Sequence, residues 1–163
     1  FALHALAMDL SKLEKLISYQ FKNQDLLKEA LTHRSYLNEN PKWHLPHNER
    51  LEFLGDAVLE LAVTEPLFEQ FPREQEGRLT TLRAALVNYQ MLAKLSKQIE
   101  LEKFLLMSRG EAKDMGRARE VILANAMEAL IGSIYLDGGY ESAGQFVTEF
   151  ILPEIKEVID KGL

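Results

Sequence analysis

A chain of 163 residues, 47% hydrophobic and 27% charged, has the composition of one globular domain large enough to bury a core. It contains no cysteine, which excludes disulfides, thiolate metal sites and cysteine nucleophiles and fits a reducing compartment such as the cytoplasm. The formal net charge of −6 argues against a surface that holds polyanions by bulk charge alone, and the sequence shows no continuous apolar run of the length that spans a membrane.

Phe1 to Ala7 precede Met8 and read as an expression-vector remnant, with Met8 as the natural start; they lack the cationic start and cleavage site of a signal peptide. Leu10, Leu13, Leu16 and Ile17 form an apolar stripe behind Ser11, which predicts a first helix. Asn23 is placed to cap a second, carrying Leu26, Leu27, Ala30 and Leu31. Asn38 to Pro46, with two prolines, two asparagines and Trp43, predicts a loop. Asn48 is expected to cap the next helix, Pro66 to kink it and Pro72 to end the region. A long helix is predicted from about Gln75 to Ile99, with Leu79, Leu82, Leu86, Leu92 and Leu95 inward. Ser108 to Glu120 is polar and interrupted by glycines, which predicts a mobile loop. An apolar helix follows from Val121 and should end at Gly138-Gly139. The last segment, Tyr140 to Lys161, is amphipathic with a break at Pro153. No alternating strand pattern competes, so the expected class is all-α.

Two of these helices carry the chemistry. In the stretch His47 to Leu59, Glu49, Glu52 and Asp56 are spaced by three and then four residues, which stacks them on one helical face. Leu51, Phe53, Leu54, Ala57, Val58 and Leu59 can bury the others. A solvated helix face would show the same spacing. Neighbouring carboxylates repel, however, and burial penalises their charged forms unless a cation neutralises them. All-oxygen ligands favour a hard ion, magnesium or manganese. The segment Val121 to Gly139 is apolar nearly all round, as in a buried helix, and only Asn125 and Glu128 interrupt its middle, on one face. No Lys or Arg lies within that run to serve Glu128, so two helices with oxygen ligands can meet at a shared ion.

The first of these segments, Asn48 to Asp56, resembles the signature of the ribonuclease III family, and the second resembles that family's other catalytic helix. Leu31 to Tyr36 and Glu76 to Asn88 match two further family blocks, so the resemblance runs from about Leu13 to about Ile155. It implies the helical endonuclease-domain fold over residues 8–163, as a two-fold homodimer. It further implies magnesium-dependent hydrolysis of double-stranded RNA, leaving 5′-phosphates, 3′-hydroxyls and short 3′ overhangs, in processing of ribosomal and messenger RNA. Full-length bacterial relatives carry a double-stranded-RNA-binding domain after this region, and the chain accordingly reads as the catalytic domain alone.

Residue by residue, the resemblance assigns the catalytic positions to Glu52, Asp56, Asn125 and Glu128. Glu52, Asn125 and Glu128 would ligate the metal directly or through water, and Asp56 would complete the site through water or a second ion. Glu49 matches a further acidic position near the scissile strand. Many relatives carry Asp where Asn125 stands. The amide oxygen still ligates a hard cation but brings no charge, and Asn125 is either the natural residue or an Asp→Asn change that yields a form binding duplex RNA without cutting it. Phe53 reads either as a core aromatic or, by the resemblance, as the plug that fills a pocket on the two-fold-related subunit.

Arg109, Lys113, Arg117 and Arg119 read either as solvated loop residues or as contacts to the RNA backbone, because duplex RNA is read mostly by shape, phosphates and 2′-hydroxyls. Arg34 and Arg83 read as structural ion-pair residues, and His33 as a packed or capping residue. His44 and His47, three apart beside Pro46, form only a weak zinc motif. Neither phosphate-binding glycine motif of nucleotide-binding proteins occurs, so no nucleotide cofactor is expected. A di-iron carboxylate protein would need Glu-x-x-His pairs, which are absent. Within the family, a non-catalytic scaffold would have lost more acidic positions, and the compact subfamily that cuts ribosomal RNA precursors has a different signature helix.

Overall fold

Short helices built from local signals frame two long ones. The computed structural model describes residues 8–162; the stretch read as a vector remnant, 1–7, lies outside them. Asp9 accepts from the Ser11 amide and hydroxyl (3.0 and 2.6 Å) at the start of α1, Ser11–Leu16. Asn23 caps α2, Gln24–Ala30, by accepting from the Asp25 amide, as its residue type predicts. His33 caps α3, Arg34–Glu39, by accepting from the Ser35 amide.

The long α4, Glu49–Gln70, carries the first acidic stripe. Asn48 stands at its N-cap, but its side-chain amide donates inward to the Ala30 carbonyl (3.0 Å) and makes no cap hydrogen bond. That corrects the expected capping role: the buried amide satisfies a carbonyl of α2 instead. Pro66 lies inside α4, which runs on through it to Gln70. The expected single helix over 75–99 is two, α5 (Glu76–Val87) and α6 (Tyr89–Gln98), divided at Asn88. Asn88 is extended (φ −70°, ψ 162°) and accepts from the Met91 amide (2.9 Å), capping α6. After a 3-10 turn, Leu101–Phe104, the segment expected to be a mobile loop contains a short helix, α7 (Arg109–Lys113).

The longest helix, α8, runs Arg117–Phe150. Gly139 interrupts it at φ 80°, ψ 178°, a conformation a side chain rarely permits, so the expected stop is a sharp break after which helix resumes. A 3-10 turn, Leu152–Glu154, follows at Pro153 and leads to α9, Ile155–Asp160. No strand forms among the described residues. A single parallel bridge joins Thr32 to Leu106, with the His33 amide donating to the Leu106 carbonyl and the Leu106 amide to Leu31, both at 2.9 Å.

The core sits between α4 and α8, whose mutual contact is the most extensive in the molecule; α6 and α2 also pack on α8, and α5 on α4. Leu59, Val63 and Leu67 of α4 meet Met127, Leu130, Ile131 and Ile134 of α8 in one buried cluster. By length and composition the stretch 117–160 is apolar enough to cross a membrane, but most of its apolar window is buried inside the fold, and its apolarity is that of a central core helix.

Candidate active site

The α4–α8 packing brings the two sets of oxygen-bearing side chains to one place. Glu49, Glu52, Phe53 and Asp56 from α4 and Asn125 and Glu128 from α8 line a cavity of about 510 Å³. Each pair stands three or four residues apart on its own helix, so each helix presents one edge of its exposed stripe to the opening. Glu52, Asn125 and Glu128 are half-buried, and Asp56 and Glu49 are exposed.

The cavity is electrostatically loaded. Burial pushes the Glu128 carboxyl up to about 8, helped by a hydrogen bond with Asp56 and by the charges of Asp56, Glu52 and Glu60. Glu128, protonated, donates to the Asp56 carboxylate. Glu52 is also raised, by burial first and then by Glu49 and Asp56. The partner that Glu128 finds is thus another acid, and no lysine or arginine lines the cavity. Among the described residues no three carboxylate or imidazole groups converge closely enough to enclose an ion; the acids line the opening rather than meeting at a point. Their chemistry, all oxygen with surplus negative charge, fits a hard divalent cation.

A Ribonuclease-III-like family model matches residues 23–155, a range that includes every residue of this cavity. The chain belongs to the ribonuclease-III-like family. It is 49% identical to Ribonuclease 3 of Oleidesulfovibrio alaskensis over 136 residues, covering 83% of this chain and 59% of that protein. It is 46% identical to Ribonuclease 3 of Carboxydothermus hydrogenoformans over 157 residues, 94% of this chain and 67% of that protein. The chain therefore spans about three fifths to two thirds of the length of these curated relatives. The fold is that of the nuclease domain of ribonuclease III from Campylobacter jejuni, described with structural flexibility in a region involved in dimer formation: TM-score 0.80 at 44% identity, over 88% of this chain and 96% of that one. Dicer from Giardia matches at TM-score 0.64 and 25% identity, over 93% of this chain and 21% of Dicer.

In this ribonuclease-III-like domain the remaining candidates fall into place unevenly. Glu49 sits at the rim, held by Arg34 Nη1 at 3.2 Å and near His47 Nε2 at 3.6 Å. Arg83 pairs with Glu60 at 3.4 Å and donates to Thr64 Oγ1 at 2.9 Å, so both arginines have acidic partners that sequence could not name. His44 stands near Asp25 at 3.6 Å, and the two loop histidines serve different carboxylates. Phe53 is 85% exposed, which removes the core-aromatic reading. It shares α4 with exposed Leu61 and Phe68.

Arg119 is a correction. It is 5% exposed, and its guanidinium donates to Glu102 Oε1 (3.0 Å) and to the carbonyls of Asp114, Glu111 and Ala112 (3.2, 3.1 and 2.7 Å). A cation so enclosed ties the 109–116 segment down and does not face a ligand. Lys113 and Arg117 are exposed, Arg117 lying 5.8 Å over the Tyr89 ring. Arg109 is exposed, with its amide donating to Glu39 at 3.2 Å. Sequence reasoning missed Glu60, which stands four residues beyond Asp56 and carries the acidic stripe one turn further; that spacing was the available signal.

Proposed function

We propose that this chain is the catalytic portion of a divalent-metal-dependent endoribonuclease that cuts double-stranded RNA. The observation that carries the reading is that Glu52, Asp56, Asn125 and Glu128 line one cavity, where burial first, and then the hydrogen bond with Asp56 and the neighbouring carboxylate charges, hold Glu128 protonated to about pH 8. Glu52, Asn125 and Glu128 would hold magnesium, or manganese in its place, directly or through water, with Asp56 completing the set through water or a second ion. Such an ion, when bound, supplies an activated water and charge neutralisation at the phosphate. The chain's residues do the rest. With such an ion held, Glu128 would serve as a deprotonated ligand and Asp56 would be free of the hydrogen bond the two share, while Glu49 faces the scissile strand from the rim, oriented by Arg34. Hydrolysis breaks the bond to the 3′ oxygen, leaving a 3′-hydroxyl and a 5′-phosphate.

In this reading two copies pair through α4, with Phe53 of each filling a pocket of the other. The two acidic sites then lie in one valley, each cutting one strand, and their offset leaves short 3′ overhangs. Arg109, Lys113 and Arg117 would contact the RNA backbone. A net charge of −6 supplies little non-specific affinity for RNA, so binding by this chain would rest on local contacts. The setting is the cytoplasm, the substrates precursors of ribosomal and messenger RNA, and neither a membrane nor a nucleotide cofactor takes part.

Asn125 favours one second reading, a form that binds duplex RNA without cutting it, because its amide occupies a cavity position where relatives often place a carboxylate. Long duplex RNA incubated with magnesium at low ionic strength separates the two. Short duplexes with 5′-phosphates are expected. RNA that is retarded on a gel yet intact, and is cut once Asn125→Asp is introduced, would instead establish the impaired form. RNA neither bound nor cut would end the nuclease reading.

A further inference from the structure

The helices that carry the site touch backbone to backbone at two glycines. A Cβ added at Gly55 would lie 1.7 Å from the Glu128 carbonyl oxygen and 3.0 Å from the Gly132 amide nitrogen. A Cβ at Gly132 would lie 2.4 Å from the Leu51 carbonyl oxygen and 3.3 Å from Gly55 Cα. Neither clash involves a side chain that could swing away, so any larger residue must move one helix relative to the other. Gly55 is adjacent to Asp56 and one turn from Glu52; Gly132 is one turn from Glu128 and two from Asn125. No other glycine in the two helices has this setting. Gly144 has open space, and the nearest atoms to a Cβ at Gly138 are side-chain atoms of Tyr19 and Ser142, not the backbone of α4.

We propose that Gly55 and Gly132 are positioning residues: their contact sets the gap between Glu52 and Asp56 on α4 and Asn125 and Glu128 on α8, and so fixes the size of cation those four residues accept. The inference rests on the metal-site reading above. Magnesium demands oxygen ligands at about 2.0–2.1 Å, and calcium accepts them at about 2.3–2.6 Å. A methyl group wedged into the glycine contact opens the gap and penalises the smaller ion more. Gly55 meets Glu128 at its backbone carbonyl and not at its carboxylate, so the effect of the glycines on the cation runs through backbone spacing.

The test is calorimetric titration of the metal-free native chain, Gly132→Ala and Gly138→Ala with magnesium and with calcium, alongside thermal melts. Gly138→Ala serves as the control that perturbs α8 away from the site. Magnesium affinity of Gly132→Ala should fall about tenfold or more, with calcium affected less, while Gly138→Ala keeps the native ratio of the two. A folded Gly132→Ala with the native magnesium-to-calcium ratio overturns the proposal. Should that variant not fold in buffer, the titration is made in trimethylamine oxide, which favours compact states; a chain that stays unfolded there makes the glycine purely structural and also overturns the proposal. A native chain that binds neither ion overturns the metal-site reading itself, a distinct result.

Discussion

A carboxyl group half-buried beside Asp56 and Glu52 keeps its proton to about pH 8. Because the folded-state value of Glu128 lies above its ordinary 4.5, the protonated form is the one the fold favours. Its contribution is whole below about pH 4.5 and is lost as pH rises through about 8. The metal-free protein should therefore melt roughly 5 °C lower at pH 9 than at pH 5, a figure that allows for partial solvent screening. In Glu128→Gln most of that slope should vanish, leaving the smaller part due to Glu52. Differential scanning calorimetry checks this, and an unchanged slope in the variant would show that the Glu128 environment is misread. The residues of the cavity were legible in the sequence because helical spacing alone puts Glu52 with Asp56 and Asn125 with Glu128. Which acid would hold the proton was not, since it depends on how deeply each sits once the helices have docked.

Two elements were misjudged because neither apolar periodicity nor local polarity says what a chain folds against. The 75–99 stretch has inward leucines on both sides of Asn88, and apolar periodicity ran straight through the cap that divides it. Asn88→Ala removes the hydrogen bond to the Met91 amide, should cost about 1 kcal/mol, and should lower the melting temperature by roughly 3 °C; a change within error would mean that α6 starts without its help. In 108–120, charged residues among glycines look solvated, yet Arg119 is enclosed by acceptors from its own segment and from Glu102. Arg119→Ala leaves three carbonyls and a carboxylate without that donor and should cost about 2–3 kcal/mol in urea denaturation. Arg119→Lys should recover only part of this, because an ammonium cannot reproduce the planar fork. Full recovery by lysine would reduce the interaction to simple charge.

At the scale of the whole molecule, an aromatic side chain as exposed as Phe53 is costly for a lone domain, and Leu61 and Phe68 extend apolar surface along the same helix. Sedimentation velocity should find the native chain as a two-fold dimer and Phe53→Glu as a monomer of unchanged helical content, since the side chain leaves no cavity in its own core. A variant that still sediments as a dimer would move the interface elsewhere. The acidic net charge belongs to this scale as well, and it is why the proposed nucleic-acid affinity is harder to read from composition than the cavity residues are from spacing.

The cavity is assembled from two distant stretches of the chain, Glu52 and Asp56 from the first half and Asn125 and Glu128 from the second. During synthesis, which proceeds from the N-terminus, the earlier pair leaves the ribosome well before the later pair has been translated. Neither pair alone amounts to a site, and α8 has to be complete and seated on α4 before all four face one opening. Under the proposed function, a nascent chain surrounded by folded ribosomal RNA is therefore harmless to it, and cutting power arrives only with the finished fold.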